Sequence, residues 1–456
     1  MPTEDLKTFL YRQPATTLAD LLLELAEDFP DVQKRLERLQ VADNPSKLAT
    51  AFRKTLAGWR RSQKYYDYKT VGAFASKLEL WLDQVARELA PKDPAAALEL
   101  LQAFIEADQI FFESADDSGA HIGDAVRKAC RYWLKTAAQC ETPEAVLAQR
   151  LMTLATADAY GAREGLFREA HLLLSEPAMR TLVADLERTM AALVAQHAGA
   201  PHMPYEVIKV SSGMSLIGEA LKDPDVRVRA ILGYRSDPNP LQKESMVQAY
   251  LEAERPKDAM KWLEGNWGHL DDRRQRLLAQ AHAQLGQPEL SHPLLQELFE
   301  RSPSVEALRQ WLDGLTPQQQ VAAMERAGQG ALAMSDPGRA AHLLVELHRE
   351  SDAEAVLVEK AAAIDGMDYY RLPMLAKTLV DGGRLKGATA VYRALLINIL
   401  ERANTRAYGH AARYLESLTL MSREDLAPLA THEEFVALLR EKHGRKASFW
   451  SLVAGG

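Results

Sequence analysis

Cysteine is the scarcest signal in this chain: there are only two, Cys130 and Cys140. They form no CxxC pair and have no histidine at finger spacing. A disulfide scaffold and a cysteine-built zinc finger are therefore excluded. The two thiols read as small buried or half-buried side chains, and their scarcity fits a reducing cytoplasm. Turn residues are also few. The 25 Gly and 21 Pro make up about a tenth of the chain, where about an eighth is usual. Long apolar runs are missing: stretches such as Ala394–Leu400 are far too short to cross a bilayer. The opening MPTEDLKTFL is acidic and lacks the apolar stretch of a secretory signal. A strong charge of one sign is missing too. The net charge of -8 offers no overall attraction to nucleic acid or anionic lipid. These absences set a cytoplasmic protein with no membrane partner as the expectation.

What is present is helix-forming. Hydrophobic residues at 47% and charged residues at 26% exclude a disordered chain. Leu18, Leu21, Leu22, Leu25 and Phe29 follow the helical i, i+3, i+4, i+7 rule, with Glu24, Glu27 and Asp28 on the other face. The punctuation predicts a helix from Ser46, as its cap, to Arg61 and another from Tyr68 to Leu89. Asp93 then caps a helix that begins with Pro94 and runs to Phe112. Glu113–Gly119 reads as a loop and Ile122–Gln139 as a further helix. Thr142-Pro143 opens the next by the same capping logic. No segment alternates convincingly as a strand, although Tyr205–Val210 is rich enough in Tyr, Val and Ile for a short extended piece.

Composition shifts at Gly199–Pro204, which places a boundary between an N-terminal helical domain, 1–198, and a C-terminal helical-repeat domain, 205–456. In the second half an internal spacing recurs. Tyr250, Ala259 and Leu263 stand at offsets 0, 9 and 13, and so do His282, Ser291 and Leu295, and again Leu379, Ala388 and Tyr392. A small residue between large ones lets two helix axes approach closely. The expected fold is all-α, with antiparallel helix hairpins stacked into a tetratricopeptide-like right-handed superhelix or α-solenoid.

Motifs that carry chemistry are mostly missing. Gly328-Gln329-Gly330 lacks the third glycine of a dinucleotide loop, and no phosphate-binding loop or nucleophile elbow occurs. His432-Glu433-Glu434 starts like a zinc-protease helix but has no second histidine one turn on. The loop Ser114–Asp124 gathers Asp116, Asp117, His121 and Asp124, oxygen ligands that suit a hard cation, though Asp-Ser-Gly clusters more commonly end one helix and cap the next. No enzyme activity, cofactor or metal is expected.

Charge is unevenly spread. From Arg384 onward 11 Lys+Arg face 7 Asp+Glu, a local +4, which leaves -12 for residues 1–383. Within this tail Arg402, Arg406, His410 and Arg413 would fall on a stripe about 80° wide on one continuous helix. Tyr408, Ala411, Leu415 and Leu418 would face inward. Lys442, His443, Arg445 and Lys446 form a second basic group, followed by Phe449 and Trp450. Forked arginine donors suit a phosphate or an acidic peptide. A weaker basic and aromatic surface lies near the front, at Arg60, Arg61, Lys64 and Tyr65, where aromatic stacking with cations would suit single-stranded nucleic acid.

The tail segment YRALLINILERANTRAYGHAARYL with KHGRKASFW resembles the C-terminal signature of an uncharacterised all-helical bacterial family. The front segments RSQKYYDYKT and FFESADDSGAHIGD are similar to the same family. Helical regions of this kind follow the zinc finger in SWIM-type proteins, whose cysteine ligands this chain lacks. The resemblance implies an all-helical, tetratricopeptide-like fold and no established reaction. The functional expectation is a scaffold binding a protein partner, acidic or phosphate-bearing; the alternative is a nucleic-acid or nucleotide binder in defence or stress response.

Overall fold

The computed structural model of the chain describes residues 6–41, 43–198, 202–423 and 425–454. Among them 26 α-helices succeed one another, neighbours pack pairwise, and no strand forms. The fold is all-α and of the helical-repeat kind. Tyr205–Val210 is not extended: it opens the helix Tyr205–Leu221, which buries Val207, Met214 and Ile217. Tertiary burial on one helical face outweighs the local β-propensity.

Helix starts follow side-chain chemistry. Asp93 caps Pro94–Ile105 by accepting from Ala96 N at 2.9 Å, as its sequence position predicts. The helix Pro45–Arg61 is capped by Asn44 rather than Ser46, because Pro45 suits the first helical position and Asn44 Oδ1 reaches Lys47 N. Thr142 caps nothing. Pro143 keeps an extended ψ of 137°, so the helix starts one residue later at Glu144. The stretch expected as one helix to Phe112 is broken after Ile105 and resumes at Asp108–Glu113. The break turns Asp108 into the core, where it meets Arg163 at 2.7 Å.

The chain packs as two compact units, Met1–Arg255 and Pro256–Gly456. The composition change at 199–204 lies inside the first, with 199–201 outside the described residues. Tyr205–Leu221 packs on Glu176–Gln196, and Lys209 Nζ donates to the carbonyls of Thr156 and Asp158 at 2.6 Å each. These ties hold the helix after the composition change to the body before it, so packing divides the chain at Arg255 instead.

The core of the first unit is aromatic on one side. Trp81 packs edge-on to Phe52 and stacks on Phe104, and Phe74 meets Phe111 edge-on. The helix His121–Ala137 runs through this core beside Val71–Gln84 and Pro94–Ile105, burying Val126, Cys130 and Trp133. Cys130 is fully buried, and burial pushes its thiol up. Burial also raises the Cys140 thiol, but that side chain is only half-buried, its Sγ 3.5 Å from Thr136 O. Alkylation of the folded protein at mildly alkaline pH should therefore modify Cys140 alone, with Cys130 reacting only after unfolding. Peptide mass spectrometry after a native-state time course reads this, and equal labelling of both would contradict the packing.

In the second unit, Asp271–Gln284 pairs with Pro288–Arg301, and Arg371–Asp381 with Leu385–Glu401. Ser291 and Ala388, the small residues of the repeated spacing, are buried in these hairpins. A backbone device recurs along the chain. Lys222, Glu254, Gly286, His348, Gly383 and Ala403 all take positive φ, from 50° to 71°. The next N–H in each case donates to the carbonyl five residues back, at 2.7–3.2 Å. Each therefore ends a helix with a Schellman turn and starts the chain on its return. The first three stand 32 residues apart, the length of a helix hairpin.

Candidate interaction surface

The tail residues do not form one stripe. The helix Leu385–Glu401 ends at Arg402, Ala403 turns left-handed, and Thr405–Ala407 makes a short 3-10 turn. A new helix, Tyr408–Met421, then begins. The 0, 4, 8, 11 spacing thus crosses a corner, and only His410 and Arg413 share a helix face. Arg413 Nη2 lies 3.1 Å from His410 Nδ1. The inward face of that helix is as expected, with Tyr408, Ala411, Leu415 and Leu418 buried. Arg406 is exposed on the 3-10 turn.

Lys442 and His443 end the helix His432–His443, and Arg445 and Lys446 follow in the turn before Ala447–Ala454. Burial, with the charges of Lys446 and Lys442, lowers the His443 pKa, while Glu401 opposes the shift. The downward shift weakens the contribution of His443 to the basic group. Phe449 is fully buried edge-on to Tyr408, and Trp450 Nε1 donates to His443 O at 3.0 Å. Arg440 covers the Trp450 ring at 4.5 Å. His432-Glu433-Glu434 is a helix start: Thr431 and Glu434 form a reciprocal capping box.

Arg402 belongs to a different constellation, one with no single sequence signature. Its Nη1 donates to Tyr369 Oη at 3.1 Å, and Tyr369 Oη donates to Asn398 Oδ1 at 2.7 Å. Gly366, just before, lies so close to the helix Leu385–Glu401 that a Cβ there would stand 2.3 Å from Ala394 O. Asp365 Oδ1 accepts from Met367 N, and Asp368 accepts from Arg371 N and pairs with the Arg371 guanidinium. The loop 365–370 is thus fixed onto the helix behind it. In the loop Met367 is 51% exposed and Tyr370 88%, and Met374, in the first turn of the helix Arg371–Asp381 that follows, is 70% exposed. Tyr, Met and Arg are among the side chains enriched where proteins meet proteins, and the rigid Tyr ring buries a large area at little entropic cost.

At the front, Arg60 and Arg61 are exposed at the end of Pro45–Arg61, with Arg61 Nε donating to Ala57 O. Lys64 lies over the Tyr66 ring at 5.0 Å, and Tyr66 stacks on Phe74 at 4.0 Å. Tyr65 and Tyr68 remain outside, 62% and 67% exposed. The two front segments singled out by sequence meet here. Tyr66 N donates to Ser114 O at 2.9 Å and Asp116 N donates to Tyr66 O at 2.8 Å, an isolated parallel bridge. The Asp loop is a capping device. Asp117 accepts from Ile122 N and Gly123 N, Asp116 accepts from Ser118 N, and Asp124 pairs with Arg127. Among the described residues no three His, Cys, Asp or Glu side chains are grouped to hold a metal.

Fold and surface define an all-helical repeat protein that exposes Tyr370, at 88%, on the anchored loop 365–370. The chain belongs to a family of unknown function, DUF6880, whose pattern matches residues 7–452. That match carries the likeness to an uncharacterised all-helical family and carries none to SWIM-type proteins. No curated protein and no solved structure matches the chain. No described helix is long and apolar enough to cross a membrane.

Proposed function

We propose that the protein is a non-catalytic, cytoplasmic helical scaffold that binds another protein through the surface around Tyr370. Arg402 and Arg406 give this surface its preference for an acidic or phosphate-bearing partner. The supporting observation is the fixed loop 365–370, which holds Tyr370 exposed beside the Arg402–Tyr369–Asn398 chain of hydrogen bonds, with Met374 exposed on the helix that follows. Order present before binding lowers the entropic cost of association. A photo-crosslinking residue at Tyr370, in cells that make the protein, should capture one dominant partner. Arg402→Glu should weaken that capture about tenfold or more. A crosslinker at Tyr205, exposed at 71% in the other unit, serves as the control. Capture that is the same at both positions, or indifferent to Arg402→Glu, would exclude this surface.

A further inference from the structure

Positive charge is densest not in the tail but near the front. Between Pro30 and Lys77 the chain has 11 Lys+Arg against 4 Asp+Glu, a local +7 in a protein of net charge -8. The helix Pro45–Arg61 carries five of these cations, Lys47, Arg53, Lys54, Arg60 and Arg61, and all five are exposed. Among the described residues only Arg53 lies near a carboxylate, Glu99 at 3.8 Å. Several other surface cations of this unit pair with carboxylates across helices, as Arg131 does with Glu169 and Arg180 with Asp223. Here like charges stand together, and their mutual repulsion favours an anion that neutralises them.

The cations are also ordered. Lys47, Lys54 and Arg61 follow one another at intervals of seven residues. On a helix of 3.6 residues per turn they fall within about 40° on one face and span about 21 Å. Ala51 and Gly58 alternate with them on that face, and a Cβ at Gly58 would meet nothing within 4 Å. The result is a row of long basic side chains over a low floor. It borders an open cleft of about 650 Å³ against the helix Pro30–Gln40, in which Glu37 is the single carboxylate. At Trp59 the cleft continues into a recess of about 180 Å³ beside Tyr66 and Phe74, with Lys77 and no carboxylate in its lining. Past the end of the row, Tyr65 and Tyr68 are 62% and 67% exposed.

We propose that this surface binds single-stranded nucleic acid. The cation row takes the sugar-phosphate backbone, whose charges repeat along a path longer than one nucleotide. The exposed tyrosines take unpaired bases, because every base offers a π-face to an aromatic ring. A duplex keeps its bases stacked on one another and gains nothing from Tyr65 and Tyr68. An acidic peptide or an anionic bilayer would match the charge, yet Ala51 and Gly58 offer no side chain to anchor a peptide or to enter a bilayer. The surface lies in the first unit and does not depend on the reading built on Tyr370.

The test is fluorescence anisotropy of the full chain with labelled single strands of about 12 nucleotides, RNA and DNA, from about 50 to 200 mM salt. Binding is expected at the lower salt and should weaken steeply toward the higher. Lys47→Gln with Lys54→Gln should weaken it about tenfold and flatten the log–log salt slope by about 1.4, the share of two phosphate contacts on a single strand. Tyr65→Ala with Tyr68→Ala should weaken it about tenfold as well, but leave the salt slope unchanged. Misfolding would not divide the two variants in this way. No binding of either strand at low salt would overturn the proposal. So would equal affinity for the matching duplex, for polyglutamate or for phosphatidylserine vesicles, or equal competition by uridine monophosphate. A salt slope that the lysine variant leaves unmoved, or an affinity indifferent to the tyrosines, would overturn it too.

Discussion

Arg163→Ala is expected to destabilise the first unit by about 3–5 kcal/mol, because it strands a buried carboxylate. Asp108 is 2% exposed and Arg163 4%. The guanidinium forks onto the carboxylate through Nε and Nη2, both at 2.7 Å, and Nη1 donates to Leu154 O at 3.0 Å. Asp158 shapes the approach by accepting the N–H groups of Tyr160, Gly161, Ala162 and Arg163. Removing the arginine leaves Asp108 in a dry site with no counter-charge, and the desolvation already incurred is no longer compensated. Asp108→Ala should cost a similar amount for the opposite reason. Replacing both by apolar residues of like size, as in Asp108→Leu with Arg163→Met, should cost less than either single change. Denaturant unfolding of the four proteins measures this. A single variant within about 1 kcal/mol of wild type would show that water reaches the pair.

This pair also marks where reading the sequence runs out. Asp108 and Arg163 are 55 residues apart, and nothing local at either position announces the other. What the sequence does announce is local chemistry. Asp93 before Pro94 caps its helix, and the buried face of Tyr408–Met421 follows its period. The helical repeat shows through small residues at fixed offsets, since close axes need them whatever the rest of the sequence does. The corner at Arg402–Ala407 is hidden, because its left-handed residue is Ala403 rather than glycine. Of the six Schellman turns only those at Gly286 and Gly383 carry the usual glycine. At Lys222, Glu254 and His348 the closing hydrogen bond and the packing of the return helix outweigh the strain of a side chain at positive φ. A basic stripe drawn through such a corner looks continuous on a helical wheel and is not. The candidate surface escapes for a similar reason, since Tyr369 and Arg402 are joined across 33 residues. Its one local sign is the turn Asp365–Tyr370, where a glycine precedes two tyrosines.

Gly366→Val should have the second large effect, because it acts on fold and surface together. The nearest atoms to a Cβ at this position are backbone, Ala394 O at 2.3 Å and Ala394 C at 2.8 Å, with Asn398 Cβ also at 2.8 Å. A helix carbonyl cannot rotate away as a side-chain tip can, so the loop itself must lift. Overpacking of this kind costs about 1–3 kcal/mol. Lifting the loop also parts Tyr369 from Asn398 and Arg402, which releases Tyr370 from its fixed position. Hydrogen exchange should then speed up at residues 365–370 while the core of Arg371–Asp381 keeps its protection. Crosslinking from Tyr370 should fall with it. Tyr370→Ala offers the contrast: it removes one exposed ring, leaves the loop anchored, and should lower capture of the partner by a crosslinker placed at Met374 without altering exchange. If Gly366→Val left both exchange and crosslinking unchanged, the loop would not be held by its approach to Ala394, and the fixed surface on which the scaffold reading depends would lose its physical cause.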